Sequence, residues 1–234
     1  MKILVSWSSG KDSAWALHTL REQGAGEIGA LLTSFNEAAN RVAMHGVRAE
    51  IARAQAAAAG IRLIEVPLPS PCPNDLYEAR MSAVVRAAVA DGFTHVAFGD
   101  LFLDDVRRYR EDRLAGSGLA PLFPLWGRCT RELSREIVAG GVEAWITCLD
   151  PRLMPRELAG RRYDEALLDA LPAGVDPCAE RGEFHTCVTA GPMFSQPIDV
   201  APGVVVERDG FVFADLELKR APLTRRTRPL HGAE

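Results

Sequence analysis

The sequence predicts an α/β fold: a doubly wound, mainly parallel sheet followed by a smaller C-terminal α+β subdomain. Short apolar runs of strand character alternate with stretches of helical spacing as far as about residue 149. Beyond that point the rhythm changes to proline-rich connections and a hairpin pattern. The chain has 234 residues, 47% hydrophobic and 25% charged, which is enough for one large domain with an appended piece and argues against disorder. The division is expected between 1–128 and 129–234.

Strand runs at 3–7, 28–35, 62–66, 95–99 and 144–149, with helices between them, imply parallel strands joined by crossover helices. Val47, Ile51, Ala54 and Ala58 share one helical face, and Tyr77, Met81, Val84, Val85, Ala88 and Val89 form a second apolar stripe. Both stripes are expected to face the core rather than a ligand. A short helix at 163–171 and a hairpin of 203–207 with 211–218, turning at Arg208-Asp209-Gly210, complete the C-terminal part.

Composition narrows the function classes. No apolar run approaches the roughly 18 residues a membrane helix needs, and the N-terminus runs into a strand rather than a signal peptide, so a cytoplasmic protein with no membrane partner is expected. Cys72, Cys129, Cys148, Cys178 and Cys187 are odd in number and lack C-x-x-C spacing, which argues for reduced thiols over disulfides or a zinc ribbon. A formal charge of −4 offers no general footprint for nucleic acid, and none is expected as a partner. The basic cluster of Lys219, Arg220, Arg225, Arg226 and Arg228 reads as a solvated tail. A homodimer is left open.

The chain carries three lysines against twenty-four arginines, so Lys11 calls for an explanation. It lies in Ser8-Ser9-Gly10-Lys11-Asp12-Ser13, between the apolar run ending at Trp7 and the helical run from Ala14. A small-residue turn opening a helix presents free amides at the positive end of the helix dipole, which suits phosphate oxygens. A compact ammonium adds a point charge there. The Walker A pattern fails, because Val5 stands where its first glycine belongs and Asp12 follows the lysine. A serine-capped helix start is the plainer alternative. In the phosphate-binding reading the loop amides and Lys11 hold a departing pyrophosphate, and Asp12 holds or orients Mg²⁺.

Further candidates sit where a doubly wound sheet opens its ligand crevice. Thr33, Ser34 and Phe35 end the second strand. His45 precedes the next helix, either as a packed cap or at the phosphates. Gly99 and Asp100 end another strand, placing a carboxylate for metal or substrate. In the charged segment after it, Arg107, Glu111 and Arg113 are the substrate-binding candidates, with Trp126 and Glu180 beyond. The polar turn Asp176-Pro177-Cys178-Ala179-Glu180-Arg181-Gly182-Glu183-Phe184-His185-Thr186 adds convergent carboxylates and a histidine.

The Ser8 to Ser13 loop resembles the S-G-G-x-D-S signature of the pyrophosphatase-loop ATP enzymes, with Ser9 in place of the first glycine. Taken with Gly99-Asp100, Pro124-Leu125-Trp126-Gly127 and the turn at Gly182-Glu183-Phe184, the chain resembles the diphthine–ammonia ligase family and its bacterial relatives over roughly residues 1 to 195. That resemblance implies a HUP-type, adenine nucleotide alpha hydrolase-like sheet, ATP and Mg²⁺, and a ligase that adenylates a carboxylate and lets ammonia displace AMP. It makes 1–128 the ATP-binding part and 129–234 the substrate-binding part. The family's C-terminal motif reads Glu-Gly-Gly-Glu-Phe/Tyr-Glu-Thr, so Arg181 and His185 depart from it.

The expected function is therefore an amide-forming ligase acting on a small-molecule or protein-borne carboxylate with an amine donor. Lys11, Asp12, Asp100, Glu183 and His185 would be catalytic, with Glu183 or His185 as the general base. Ser8, Ser9, Gly10, Ser13, Thr33, Ser34, Phe35, His45 and Gly99 would join Lys11 and Asp12 around the nucleotide. Two other readings stay open: a tRNA-thiolating enzyme of the same loop class, and an ATP-binding module without catalysis.

Overall fold

A computed structural model of the chain describes residues 1–219, so the basic cluster from Arg220 onward lies outside the described residues. Strands β1 (Lys2–Ser6), β2 (Glu27–Asn36), β4 (Leu63–Leu68), β5 (His95–Ala97) and β6 (Ala120–Leu122) run parallel in the spatial order β4-β2-β1-β5-β6. The two-residue β3 (Arg41–Val42) pairs antiparallel with the end of β2. This is the doubly wound sheet expected from the alternating pattern. Its order reverses at β1, so the crevice at the carboxyl ends of β1, β2 and β5 is the topological switch point.

Burial follows from strand periodicity. Ile3 and Val5 of β1 face one core, while Leu4 between them faces another with Leu32, Val66, Phe93 and Val96. Helix α1 (Lys11–Glu22) covers the first face, and α3 (Asn74–Ala90) and α4 (Asp104–Leu114) lie over the second. The alanine-rich α2 (Ala49–Ala59) buries Ile51, Ala52 and Ala58, as its apolar spacing predicts.

The stripe on α3 turns toward the core as expected: Ala88 is fully buried, and the partly buried Tyr77, Met81, Val84 and Val85 pack against the core that holds Leu4, Leu32, Val66 and Val96. Val89 is the exception and is exposed.

The strand at 144–149 also departs from expectation. It forms as β7 (Glu143–Leu149), but in a separate antiparallel sheet of order β8-β7-β10-β9, with β8 (Phe184–Ala190), β9 (Val200–Arg208) and β10 (Phe211–Leu218). The parallel sheet takes β6 in its place, a three-residue strand containing Pro121 and too short to read as a strand. β7 looked parallel because both its faces are covered, which erases the polar alternation of a half-exposed strand. The hairpin forms as expected, with Asp209 and Gly210 at φ 53° and 80°, the left-handed pair that a tight two-residue turn requires. α5 (Thr130–Ala139) and α6 (Glu165–Ala170) complete the chain.

The two sheets share one core. Trp7, Trp15 and Leu17 pack with Ile146, Leu149, Phe184 and Val188, and α1 contacts both β1 and β8. Burying each such branched or aromatic side chain contributes roughly 1.5–3 kcal/mol relative to exposure. The start of α1 is thereby held by the C-terminal sheet as well as by its own strand. Among the described residues no helix is long and apolar enough to cross a membrane.

Candidate functional site

The Ser8 to Ser13 loop joins β1 to α1 at the switch point. Gly10 is the N-cap in extended conformation, and the Ser13 hydroxyl donates to its carbonyl at 3.0 Å. Ser8 and Ser13 hydroxyls lie 3.2 Å apart, and the Gly10 amide donates to Ser8 Oγ. Ser9 is fully buried at φ 69°, a left-handed conformation that costs a non-glycine residue about 1 kcal/mol. Its carbonyl is fixed by the Val188 amide and by Gln55 Nε2, whose side-chain oxygen accepts from Trp7 Nε1. The Lys11 amide donates to Thr186 Oγ1 at 3.1 Å. The strained loop is thus held by α2 and β8 rather than by its own bonds. Gln55 and Thr186 were not among the site residues expected from sequence, since a buried glutamine in an alanine-rich helix carries no motif.

Two buried polar atoms here have no partner: Ser9 Oγ and Asp12 Oδ1. An unpaired buried oxygen costs ~1–3 kcal/mol unless a ligand satisfies it. Among the described residues no group of three or more His, Cys, Asp or Glu is arranged to hold a metal ion. Mg²⁺ does not demand such a group, because it binds through one or two carboxylates together with substrate phosphates. The unpartnered Asp12 Oδ1 beside the helix start fits that mode.

Lys11 is placed differently from the expectation of a side chain facing phosphate. Its ammonium is buried, donates to Asp12 Oδ2 at 3.0 Å and to the Cys178 carbonyl, and lies over the Tyr163 and Phe184 rings at 5.4 and 5.5 Å. Burial alone lowers its pKa, but Asp12, Cys178 and Asp176 outweigh that and hold it above its ordinary value. Asp12 is itself pushed up by burial, against the opposing pull of Lys11. In this arrangement Lys11 ties the Ser8 to Ser13 loop to the 176–183 turn.

Gly99 has a packing role. A Cβ there would stand 2.8 Å from the Asp12 carbonyl carbon and 2.9 Å from the Ser13 nitrogen, so only glycine lets the end of β5 approach the start of α1. Asp100 is gripped by Arg110 through Nε at 2.5 Å and Nη2 at 3.1 Å, and the guanidinium lies 4.3 Å from the centre of the Phe98 ring. Arg110 was hidden among the many charges of α4. It lines a cavity of roughly 160 Å³ together with Ser6, Ser8, Ser34, Ala43 and Phe98. Ser34 therefore reaches the crevice. Thr33 and Phe35 do not: Thr33 is buried and donates to the Trp7 carbonyl at 2.8 Å, and Phe35 lies in the core with Val42 and Ile51. Strand alternation turns those two away from the cavity that Ser34 faces.

Arg107, Glu111 and Trp126 come together. Arg107 pairs with Glu111 at 2.8 Å and lies over the Phe123 and Trp126 rings at 4.9 and 4.8 Å. Arg113 is apart from them, paired with Glu78 and lining a groove between α3 and α4.

The 176–183 turn closes on Glu183, which is buried, with Oε1 accepting from the Asp176 amide and Oε2 from the Arg181 amide, each at 3.0 Å. With both oxygens committed to the turn, Glu183 is a clamp and not the expected general base. Glu180 belongs to the same turn and reaches the segment after β5. Its Oε1 accepts from the Leu101 amide at 2.7 Å, and burial, with added repulsion from Asp12 and Asp100, pushes its carboxyl up to about 7. Arg181 lies with its guanidinium 5.5 Å from the Phe102 ring.

His45 and His185 stack with ring centroids 4.4 Å apart. His45 rests against Gly10 and has Nδ1 3.3 Å from the Thr186 carbonyl. Burial holds both imidazoles neutral: His185 is lowered to about 4, with Lys11 adding to the effect, and His45 lies well below its usual range. His185 is accordingly a weak base.

These elements converge from both halves of the chain, and two family models match it in succession. The family model described as "Diphthamide synthase N-terminal domain" matches residues 1–104, and "Diphthamide synthase C-terminal domain" matches 129–220. A curated relative, diphthine–ammonia ligase of Rattus norvegicus, is 30% identical over 146 residues, 59% of this chain and 53% of that protein, so the chain spans about half its length. A solved structure described as a predicted subunit of tRNA methyltransferase from Methanocaldococcus jannaschii is 16% identical with a TM-score of 0.43, covering 82% of this chain and 98% of that one. With both halves of one synthase matched in order along the chain, the protein belongs to the diphthamide synthase, or diphthine–ammonia ligase, family.

Proposed function

We propose that the protein is an ATP-dependent, amide-forming ligase that adenylates a substrate carboxylate, releasing pyrophosphate and then AMP. The observation that carries this reading is the pair of buried, unpartnered oxygens, Ser9 Oγ and Asp12 Oδ1, at the start of α1 beside the crevice. A phosphate loop leaves such groups for its ligand.

In this reading the nucleotide lies in the cavity lined by Ser6, Ser8 and Ser34, with its phosphates toward the amides that open α1. Asp12 would hold Mg²⁺, which when bound neutralises phosphate charge. The substrate carboxylate attacks the α-phosphorus, and the loop amides stabilise the departing pyrophosphate. An amine then attacks the acyl carbon, and AMP leaves with its phosphate oxygen. Glu180 takes the amine's proton, because a carboxylate near 7 is half ionised at working pH, whereas Glu183 is fully engaged and His185 is weakly basic. Burial speaks against Cys148 and Cys187 as sulfur carriers, since both thiols are pushed up to about 12 and are poor nucleophiles.

The test is incubation of the full chain with ATP, Mg²⁺, ammonium and a carboxylate panel, followed by product analysis. AMP and pyrophosphate are expected, with the rate falling at least a hundredfold in Asp12→Asn. Production of ADP, or an Asp12→Asn rate equal to wild type, refutes the reading.

A further inference from the structure

The antiparallel sheet ends on β9, which among the described residues pairs only with β10. An edge strand with one covered face alternates apolar and polar residues. β9 instead carries Val204, Val205 and Val206 in succession, 68%, 56% and 45% exposed. A continuous apolar run is the pattern of an interior strand, and on an open edge it invites another strand.

Each face of the sheet continues apolar to that edge. His185 of β8 stands beside Cys148 of β7, Cys148 beside Phe213 of β10, and Phe213 beside Val206. The first three line a second cavity, next to the crevice at the switch point, together with Arg208 and Asp209 of the hairpin. Val206 carries their row to the margin. On the other face Val205 stands beside the buried Ala214.

Backbone pairing decides which groups are free. Arg208 and Phe211 close the two-residue turn, so alternation directs the amides and carbonyls of Arg208 and Val206 to β10 and those of Val205 and Glu207 away from the sheet. A second copy set antiparallel about a two-fold axis at Val206 pairs Val205 with the partner's Glu207, and Glu207 with the partner's Val205, through about four hydrogen bonds. Val206 then meets the partner's Val206. The aliphatic stems of Glu207 and Arg208 cover the partner's Val205 and Val204. Moving the axis to Glu207 sets two carboxylates opposite each other. Moving it to Val205 puts the outer bonds on Gly203, where the ladder with β10 is irregular.

We propose that β9 is the interface of a symmetric homodimer, in which two antiparallel sheets join edge to edge into one. A second copy of this chain fits the edge because the register is self-complementary: valine meets valine at the axis, no like charges are opposed, and Glu207 is already neutralised by Arg156. The partner's Val206 prolongs the row from His185 to Val206, so the second cavities of the two copies lie on one shared apolar floor. Three valines and a strand edge fall short of the ~800 Å² per partner of a standard interface, which makes the dimer weak, with a Kd of ~10–100 µM. The assignment does not depend on the ligase reading.

The experiment is sedimentation of the full chain from ~5 to ~500 µM, a range that brackets this Kd. The mass should rise from monomer toward dimer. Val206→Lys and Val206→Glu each set like charges face to face at the axis and should weaken association at least tenfold, with the melting temperature unchanged because the position is exposed. An equimolar mixture of the two variants should restore the dimer, since lysine then faces glutamate. A wild-type chain that stays monomeric throughout overturns the proposal and leaves the edge to a different partner. Wild-type dimerisation by Val206→Lys, or a mixture that fails to associate, also overturns it.

Discussion

Replacing Glu180 by glutamine separates two consequences of its environment. Its carboxyl is raised from 4.5 to about 7, first by burial and then by Asp12 and Asp100, while the Leu101 and Phe102 amides pull the other way. A folded-state pKa above the unfolded one means that the folded chain retains a proton the unfolded chain releases. The stabilisation is complete below about pH 4.5 and is lost as pH rises through about 7. The interval corresponds to ~3 kcal/mol at most, and because the side chain is partly open to solvent, screening reduces it to roughly 1–2 kcal/mol. Glutamine resembles the protonated form at every pH and keeps an oxygen for the Leu101 amide. The variant should therefore match wild type at pH 5 and exceed it by roughly 1–2 kcal/mol at pH 8.5, or about 2–8 °C in melting temperature. Amide formation should fall by a factor of about 10²–10⁴ and lose the limb that rises through pH 7, while adenylation persists. Urea denaturation at both pH values, with AMP and amide measured in parallel, provides the readout. A variant less stable than wild type at pH 8.5, or one that keeps the pH 7 limb, refutes the assignment of Glu180.

Two further substitutions test the support of the loop. Gly99→Ala drives a methyl into the Asp12–Ser13 backbone and should cost ~1–3 kcal/mol of stability, with ATP affinity at least tenfold weaker by equilibrium dialysis; wild-type affinity refutes the packing role. Lys11→Met removes the ammonium that joins Asp12 to the Cys178 carbonyl, and a loss of about 2–4 kcal/mol is expected in denaturant titration because Asp12 is left partly buried without its cation. A fully stable Lys11→Met chain would show that the lysine serves the ligand alone.

The fold was legible where an element carries a continuous apolar run or a contiguous turn signal. β1, β2, β4 and β5 announced themselves by apolar runs, and the Asp209-Gly210 turn by its residue types. β6 and β8 escaped, the first because three residues carry no period and the second because it follows directly on the polar turn. β7 was visible as a strand but not as antiparallel, since pairing direction depends on which segments return beside it. The Ser8 to Ser13 loop was legible because its residues are contiguous. Glu180 and Glu183 were both visible as carboxylates, yet their division of labour depends on which amides face them, and Thr33 and Ser34 differ only in the direction they point.

The sequence by itself determined the parallel sheet's alternation, the loop at Ser8 to Ser13 and the family, because each is written in neighbouring residues. The tertiary structure decided that Lys11 bridges the two halves, that Glu183 clamps while Glu180 titrates, and that a second cavity opens beside His185. Those outcomes depend on burial and on how the turn folds back on Glu183, and for Glu180 and Lys11 on partners 70 or more positions away along the chain, Leu101 and Cys178. A side chain's charge and reach are local properties, but its pKa and its bonds belong to the packed molecule.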